Sequence, residues 1–198
     1  MTSLKKFHAS ASFFLTGRFY RNPVFATLIE NLKKEGHYLG PHSNEHLLYC
    51  DWNNRDSLLV SQKQFLTDLE KNYREMAHFG IQRKNAKYFL PPYEWYNDSI
   101  SEWTKNIGLQ LVNYTPGTLS HADYTNSTDK NYRSSAEILN SIITFEKRHS
   151  SGLNGFILLM HIGAGTGRTD KFYNQLPVVL KYLTDRKYKF VRIDNLLQ

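Results

Sequence analysis

The 198-residue sequence has a single cysteine, Cys50. That excludes an internal disulfide and a cysteine-rich zinc site. Long apolar runs are also missing. The longest, Gly155 to Met160, is strand-sized and far short of the roughly 18 residues a membrane span needs. No Pro/Gly/Ser linker, internal repeat or low-complexity tract divides the chain, so residues 1–198 read as one domain. The opening Met-Thr-Ser-Leu-Lys-Lys-Phe-His has no apolar core, and no secretion signal is expected in this chain. Localisation is left open, an extracytoplasmic parent protein included. With 40% hydrophobic and 22% charged residues, disorder and coiled coil are excluded as well.

Positive charge is in excess: 25 Lys and Arg against 18 Asp and Glu give +7. These residues are scattered, with Lys33–Lys34, Arg83–Lys84 and Arg186–Lys187 the densest pairs. They read as a solvated basic surface, and no nucleic-acid partner is expected. Aromatic residues reach 14%, including 13 Tyr, which suits stacking on sugar rings and equally suits a Tyr-rich core.

Strand and helix patterns alternate. Strands are expected at Ala9–Leu15, Tyr38–Gly40, Tyr88–Leu90, Leu109–Val112, Gly155–Met160 and Tyr188–Ile193. Helices are expected at Pro23–Glu35, Asp56–Phe79, Ser99–Ile107, from a capping box at Ser134 to about His149, and at Asp170–Arg186. This alternation predicts parallel strands with crossover helices, an α/β fold. A complete eight-fold barrel needs about 250 residues, so an incomplete barrel or an open doubly wound sheet is expected. Either architecture gathers functional groups beyond the carboxyl ends of its strands.

Three of those ends carry chemistry. Pro41-His42-Ser43-Asn44-Glu45-His46 follows one strand, and one helical turn would put His42 and His46 on one face, a spacing that suits zinc. Pro91-Pro92-Tyr93-Glu94 follows another, with Glu94 on the functional side. His161 ends the apolar run 155–160 and has the chemistry of a general acid, for which Asp123 is a plausible orienting carboxylate. The glycines at 163, 165 and 167 match neither a phosphate loop nor a dinucleotide fingerprint and read as a flexible loop.

Five segments in this order resemble the polysaccharide deacetylases, the NodB-homology or carbohydrate esterase family 4 domain. Ala11-Ser12-Phe13-Phe14-Leu15-Thr16-Gly17 is similar to its A-T-F-F-L-T-G strand, and His42-Ser43-Asn44-Glu45-His46 to its H-[ST]-x-x-H metal motif. Phe89-Leu90-Pro91-Pro92-Tyr93 resembles R-P-P-Y, Asp123-Tyr124 resembles Asp-Trp, and Leu159-Met160-His161 resembles L-x-H. The resemblance implies a distorted, incomplete (β/α) barrel that removes N- or O-linked acetyl groups from an oligo- or polysaccharide with a divalent metal, most simply zinc. It implies His42 and His46 as metal ligands and the Tyr93 N–H as an oxyanion donor. It further implies His161 as the acid, Asp123 as its orienting partner, and Leu159 and Tyr124 as the acetyl pocket, with Pro92 beside the substrate. Glu94 stands where the family commonly has a small residue. From its place just past a strand end it is expected to point into the groove near His42 and His46, as a substitute ligand, a proton-transfer group or a sugar-hydroxyl acceptor.

Two features depart from the family pattern. The T-F-D-D segment, whose first Asp is the family's base and second its third metal ligand, does not occur in the sequence. The chain is therefore expected to be truncated before its first strand, with Met1–Phe7 ending the helix that follows it. Leu90 also stands where the family has the Arg that braces the base. Metal occupancy is expected to suffer, and the chain as given could be inactive. The alternative reading is a non-catalytic glycan-binding module on a degenerate deacetylase fold.

Overall fold

The computed structural model describes residues 2–198. In chain order the elements are α1 (Thr2–Lys6), β1 (Ser12–Leu15), α2 (Gly17–Arg21), α3 (Ala26–Lys34), β2 (Tyr38–Pro41), α4 (Gln62–His78), β3 (Tyr88–Phe89), α5 (Asp98–Asn106), β4 (Gln110–Leu111), α6 (Ser135–Arg148), α7 (Leu176–Asp185) and α8 (Ile193–Leu196), with short 3₁₀ turns between. They group into two compact units, residues 10–113 with 191–198 and residues 2–9 with 114–190. No helix among the described residues is long and apolar enough to cross a membrane.

In the 10–113 unit, β1 and β2 pair in parallel from Ser12↔Tyr38 to Leu15↔Pro41, and β3 pairs with β4 from Tyr88↔Gln110 to Phe89↔Leu111. The Leu90 N–H donates to the Pro41 carbonyl at 3.4 Å, and the Tyr88 N–H donates to the Tyr38 hydroxyl at 2.9 Å, so β2 and β3 are linked at both ends. Parallel neighbours require the crossover helices the sequence supplies. Helix α4 buries Phe65, Leu69, Tyr73 and Met76. Phe65, fully buried, meets Tyr49, Phe89 and Trp103 ring to ring, a burial contributing roughly 1.5–3 kcal/mol.

Helix α4 begins six residues later than expected from Asp56. The Ser61 side chain accepts the Gln64 N–H and the Gln64 side chain accepts the Ser61 N–H, a capping box that fixes the start. Residues 49–59 form a hairpin instead, with an antiparallel bridge at Cys50↔Leu58 and the Leu59 N–H on the Tyr49 carbonyl at 2.8 Å.

In the 114–190 unit the capping box at Ser134 opens α6 where the sequence predicts it. Ile138, Ile142, Leu153, Phe172, Val179 and Leu183 form the core, and α1 packs on α7. Helix α7 starts at Leu176, not Asp170, because Asp170 is occupied elsewhere. Its carboxylate accepts the Ser135 N–H at 2.6 Å and the Tyr132 hydroxyl at 2.8 Å.

Two expected strands do not form. Residues 156–160 are half-buried and Gly155 is exposed, without a ladder. Phe156, Leu158 and Met160 alternate onto the core like a strand face. Among the described residues, however, its backbone hydrogen bonds go to a local turn, the Phe156 N–H on the Leu153 carbonyl at 3.2 Å, and to one distant residue, the Thr115 N–H on the Ile157 carbonyl at 3.0 Å. The Ile157 N–H in turn goes to the Thr115 side-chain oxygen, not to a neighbouring strand. At 188–193, the Tyr188 N–H closes the end of α7 on the Leu183 carbonyl, and Ile193 already begins α8.

Candidate functional site

His42 directly follows β2, as expected, but the segment to His46 is not helical. Ser43 and His46 have φ of 66° and 57°, so two left-handed residues turn the chain. The turn still brings the two imidazole rings to 4.9 Å between centroids, nearly edge to face. The Nδ1 atom of His42 lies 2.8 Å from the Leu90 carbonyl oxygen. A carbonyl only accepts, so Nδ1 carries the proton and the ring's lone pair sits on Nε2. Leu90, standing where the family has an Arg, thus orients a site histidine through its backbone.

Helix α4 holds this turn from beneath with two residues the sequence reading missed. The Asp68 carboxylate accepts the N–H groups of Asn44 at 2.7 Å and Glu45 at 3.1 Å. Asn72 accepts the His42 N–H at 3.0 Å and donates to the Leu15 carbonyl at 3.2 Å. Asp68 is 6% exposed and Asn72 0%. Burial raises the Asp68 pKa above the usual carboxylate value, against the pull of its two N–H donors. The signal was present: positions 68 and 72 lie among Phe65, Leu69, Tyr73 and Met76, so two polar groups fall on the buried face. Gly17 also lets the turn approach, since a Cβ there would lie 2.0 Å from the Asn44 side-chain oxygen. On the outside Glu45 pairs with Arg18 at 2.6 Å and Arg21 at 2.7 Å. The Arg18 hydrogen bond, and then Arg21, hold its carboxyl below the usual range.

The Pro91–Trp95 loop adjoins this turn. Tyr93 and Glu94 are both left-handed, with φ of 60° and 53°, a conformation that costs a non-glycine residue of order 1–3 kcal/mol. The Tyr93 ring is 44% exposed and lies 4.4 Å from the His46 ring. Its backbone N–H meets no acceptor among the described residues. Pro92 is buried and starts the 3₁₀ turn. Glu94 is half-buried, and its carbonyl accepts from the Asn113 side chain at 2.9 Å.

In the 114–190 unit, Asp123 and His161 meet across 38 residues of chain. One Asp123 oxygen lies 2.6 Å from Nδ1 of His161, and the other accepts the His161 backbone N–H at 2.8 Å. Asp123 is buried while the imidazole is one-third exposed. A carboxylate gripping both ring and backbone fixes the ring's direction and favours its protonated form. The ring of Tyr124, 51% exposed, lies 5.4 Å from that of His161. Leu159 is half-buried, two residues before the histidine. Beside this pair His121 stacks on Tyr114, its Nδ1 buried and without a hydrogen-bond partner among the described residues. Burial depresses its pKa, and the nearby Asp123 only partly offsets that.

His42 and His46 suit a divalent transition metal in kind: imidazole is a zinc donor, and a carbonyl on Nδ1 of a ligating histidine is a usual supporting contact. In number they fall short. No cluster of three or more His, Cys, Asp or Glu suited to a metal occurs among the described residues, whereas catalytic zinc takes three protein ligands. The donor set present is incomplete.

The class this parallel α/β architecture is similar to is the (β/α)-barrel deacetylases. The chain is similar to a crystal structure of a peptidoglycan N-acetylglucosamine deacetylase with a TM-score of 0.74 at 18% identity, covering 98% of this chain and 78% of that one. It is also similar to a family 4 acetyl xylan esterase from Clostridium thermocellum bound to a cobalt ion, with a TM-score of 0.73 at 20% identity, covering 98% and 80%. The fold is accordingly α/β, an incomplete, distorted (β/α) barrel of that type. By sequence, the chain is 29% identical over 196 residues to the peptidoglycan-N-acetylglucosamine deacetylase of Bacillus cereus, spanning 98% of this chain and 78% of the relative. Residues 1–112 match the family model for polysaccharide deacetylase, and the chain belongs to that family of hydrolases.

Proposed function

We propose that this chain is a carbohydrate deacetylase that hydrolyses acetyl groups from an acetylated glycan, with N-acetylglucosamine polymers the first substrates to test. The observation that carries the reading is the two-point grip of Asp123 on His161. A buried carboxylate holding both ring and backbone makes a directed, exposed imidazole that can keep and release a proton at Nε2. Hydrolysis adds water to the acetyl carbon with loss of one water proton to solvent, breaks the carbon's bond to the sugar nitrogen or oxygen, and needs a proton on that leaving atom. His161 supplies it, and Asp123 directs the ring. Leu159 and Tyr124 line the acetyl group beside them.

From its resemblance to the family motif, the Tyr93 N–H takes the role of oxyanion donor, a role worth roughly 3–4 kcal/mol for one well-placed donor. Glu94 and Pro92 lie on the substrate side of that loop, Glu94 serving as a sugar-hydroxyl acceptor or proton-transfer group. His42 and His46 are the metal donors, zinc being the ion their chemistry favours. When bound, such an ion polarises a carbonyl and lowers the pKa of water.

The test is acetate release from N-acetylglucosamine oligomers, acetylated xylan and peptidoglycan. Asp123→Asn should lower turnover by about 10²-fold or more, the range of general acid–base contributions, with the fold intact by circular dichroism. Wild-type protein that binds glycan and releases no acetate under any divalent metal would establish the non-catalytic glycan-binding module instead. Metal analysis after dialysis should give substoichiometric zinc, lost altogether in His42→Ala. One tightly held equivalent would reveal a third ligand.

A further inference from the structure

The hairpin at residues 49–59 belongs to none of the five family-like segments, and it carries the most exposed tryptophan. Trp52 is 54% exposed. With the exposed Tyr93 ring 5.5 Å away it makes a contiguous aromatic patch, the kind of exposed apolar surface that marks a binding site. The residue is not loosely held. The Asp51 side chain accepts the N–H groups of Asn53 at 2.8 Å and Asn54 at 2.9 Å, which fixes the hairpin tip. The Asp51 carbonyl accepts the Trp95 indole N–H at 3.2 Å, tying the hairpin to the Pro91–Trp95 loop.

The Trp52 ring lies 5.7 Å from Trp95, inclined at 33°, and 5.5 Å from Tyr93, edge to face. Arg55 covers one face of Trp95, its guanidinium 4.4 Å from the ring, and holds the Tyr96 carbonyl through Nε. Tyr93 in turn touches His46. An aromatic path therefore runs from His46 through Tyr93 to Trp52. Its rim is polar and exposed, with Asn53, Asn54 and Arg55.

We infer that Trp52 is the floor of a sugar subsite, taking a pyranose ring of the glycan next to the one being deacetylated. The inference rests on the deacetylase reading and extends it to substrate length. A pyranose ring has an apolar face of C–H groups and an edge of hydroxyls. A rigid aromatic plane with amides and a guanidinium around it matches both parts. An aliphatic or lipid partner would leave the polar rim unpaired. The continuity of the path with Tyr93 and His46 sets the register: the subsite adjoins the candidate site rather than standing apart from it.

The experiment is titration of N-acetylglucosamine tetramer into the full chain, followed by tryptophan fluorescence and checked by calorimetry. Acetate release from the same tetramer is measured separately on wild-type protein and judges the chemistry alone. Wild type should bind with a blue shift as indole leaves water. Trp52→Ala should raise Kd about 10-fold or more, the range for losing an aromatic stacking partner, with an unchanged thermal midpoint. Trp52→Phe should recover most of the affinity. Equal affinity in wild type and Trp52→Ala, or no binding of the tetramer by wild type, overturns the subsite. In either case acetate release by wild type still upholds the deacetylase reading, and its absence rejects that reading on its own.

Discussion

The side chains proposed for the chemistry differ in what holds them. His161 is directed by a carboxylate, so the Asp123→Asn effect on turnover should be accompanied by a changed pH profile. The neutral amide no longer favours the imidazolium, and a general acid acts only while protonated, so the high-pH limb of the rate should move to lower pH. Asp123→Ala with the same profile as wild type would remove the directing role. His42 is held differently, by a carbonyl that only fixes its tautomer. At His121 burial is the largest influence and lowers the pKa, with Asp123 and a Thr118 backbone contact offsetting part of it.

At the scale of elements, α4 is the support of the histidine turn. Asn72→Ala leaves the His42 N–H and the Leu15 carbonyl without their partner. Each unsatisfied buried group costs about 1–3 kcal/mol, so a loss of a few kcal/mol is expected in chemical denaturation. Asn72→Asp keeps the acceptor for His42 and should recover part of it. Glycan turnover should fall in both variants even where enough folded protein remains, because the His42–His46 geometry is set from this helix. Full activity in folded Asn72→Ala would show that the turn holds itself.

The elements also show where sequence was informative. Capping at Ser134 and the apolar period of α4 are local signals, and α6 forms where they place it. His42, His46, Asp123 and His161 were legible because short motifs name them. The support from Asp68 and Asn72 depends on contacts 23 to 57 residues apart, and only their polarity on an apolar face hinted at it. The apolar run 155–160 has the pattern of a buried strand because hydrophobicity reports burial tendency and not partners. Thr115 meets just one of its residues. In sequence Leu90 stands out for the side chain it lacks, while its contact with His42 comes from its carbonyl.

For the whole molecule, two histidines set a common response to acid. His121 and His37, one in each unit, both have depressed pKa values, chiefly through burial. A group with a folded pKa below its unfolded value binds more protons when unfolded. Its stabilisation is therefore present above about pH 6.5 and lost as pH falls through the folded pKa. The thermal midpoint should fall as pH drops below 6.5, and His121→Phe should lessen that fall. A midpoint flat down to pH 5 would contradict this.

The left-handed pair Tyr93–Glu94 sets stability against selection for function. Glycine occupies that backbone region freely, so Glu94→Gly should raise the thermal midpoint by relieving of order 1 kcal/mol. Glu94→Gln keeps the strain and removes only the charge. If the carboxylate serves the substrate, both variants should lose turnover, while only the glycine gains heat resistance. A screen for thermostability alone would then enrich a weaker enzyme, and a screen on acetylated glycan would retain the strained glutamate. Evolving the two traits in parallel from one library would measure what that single residue trades between durability and work.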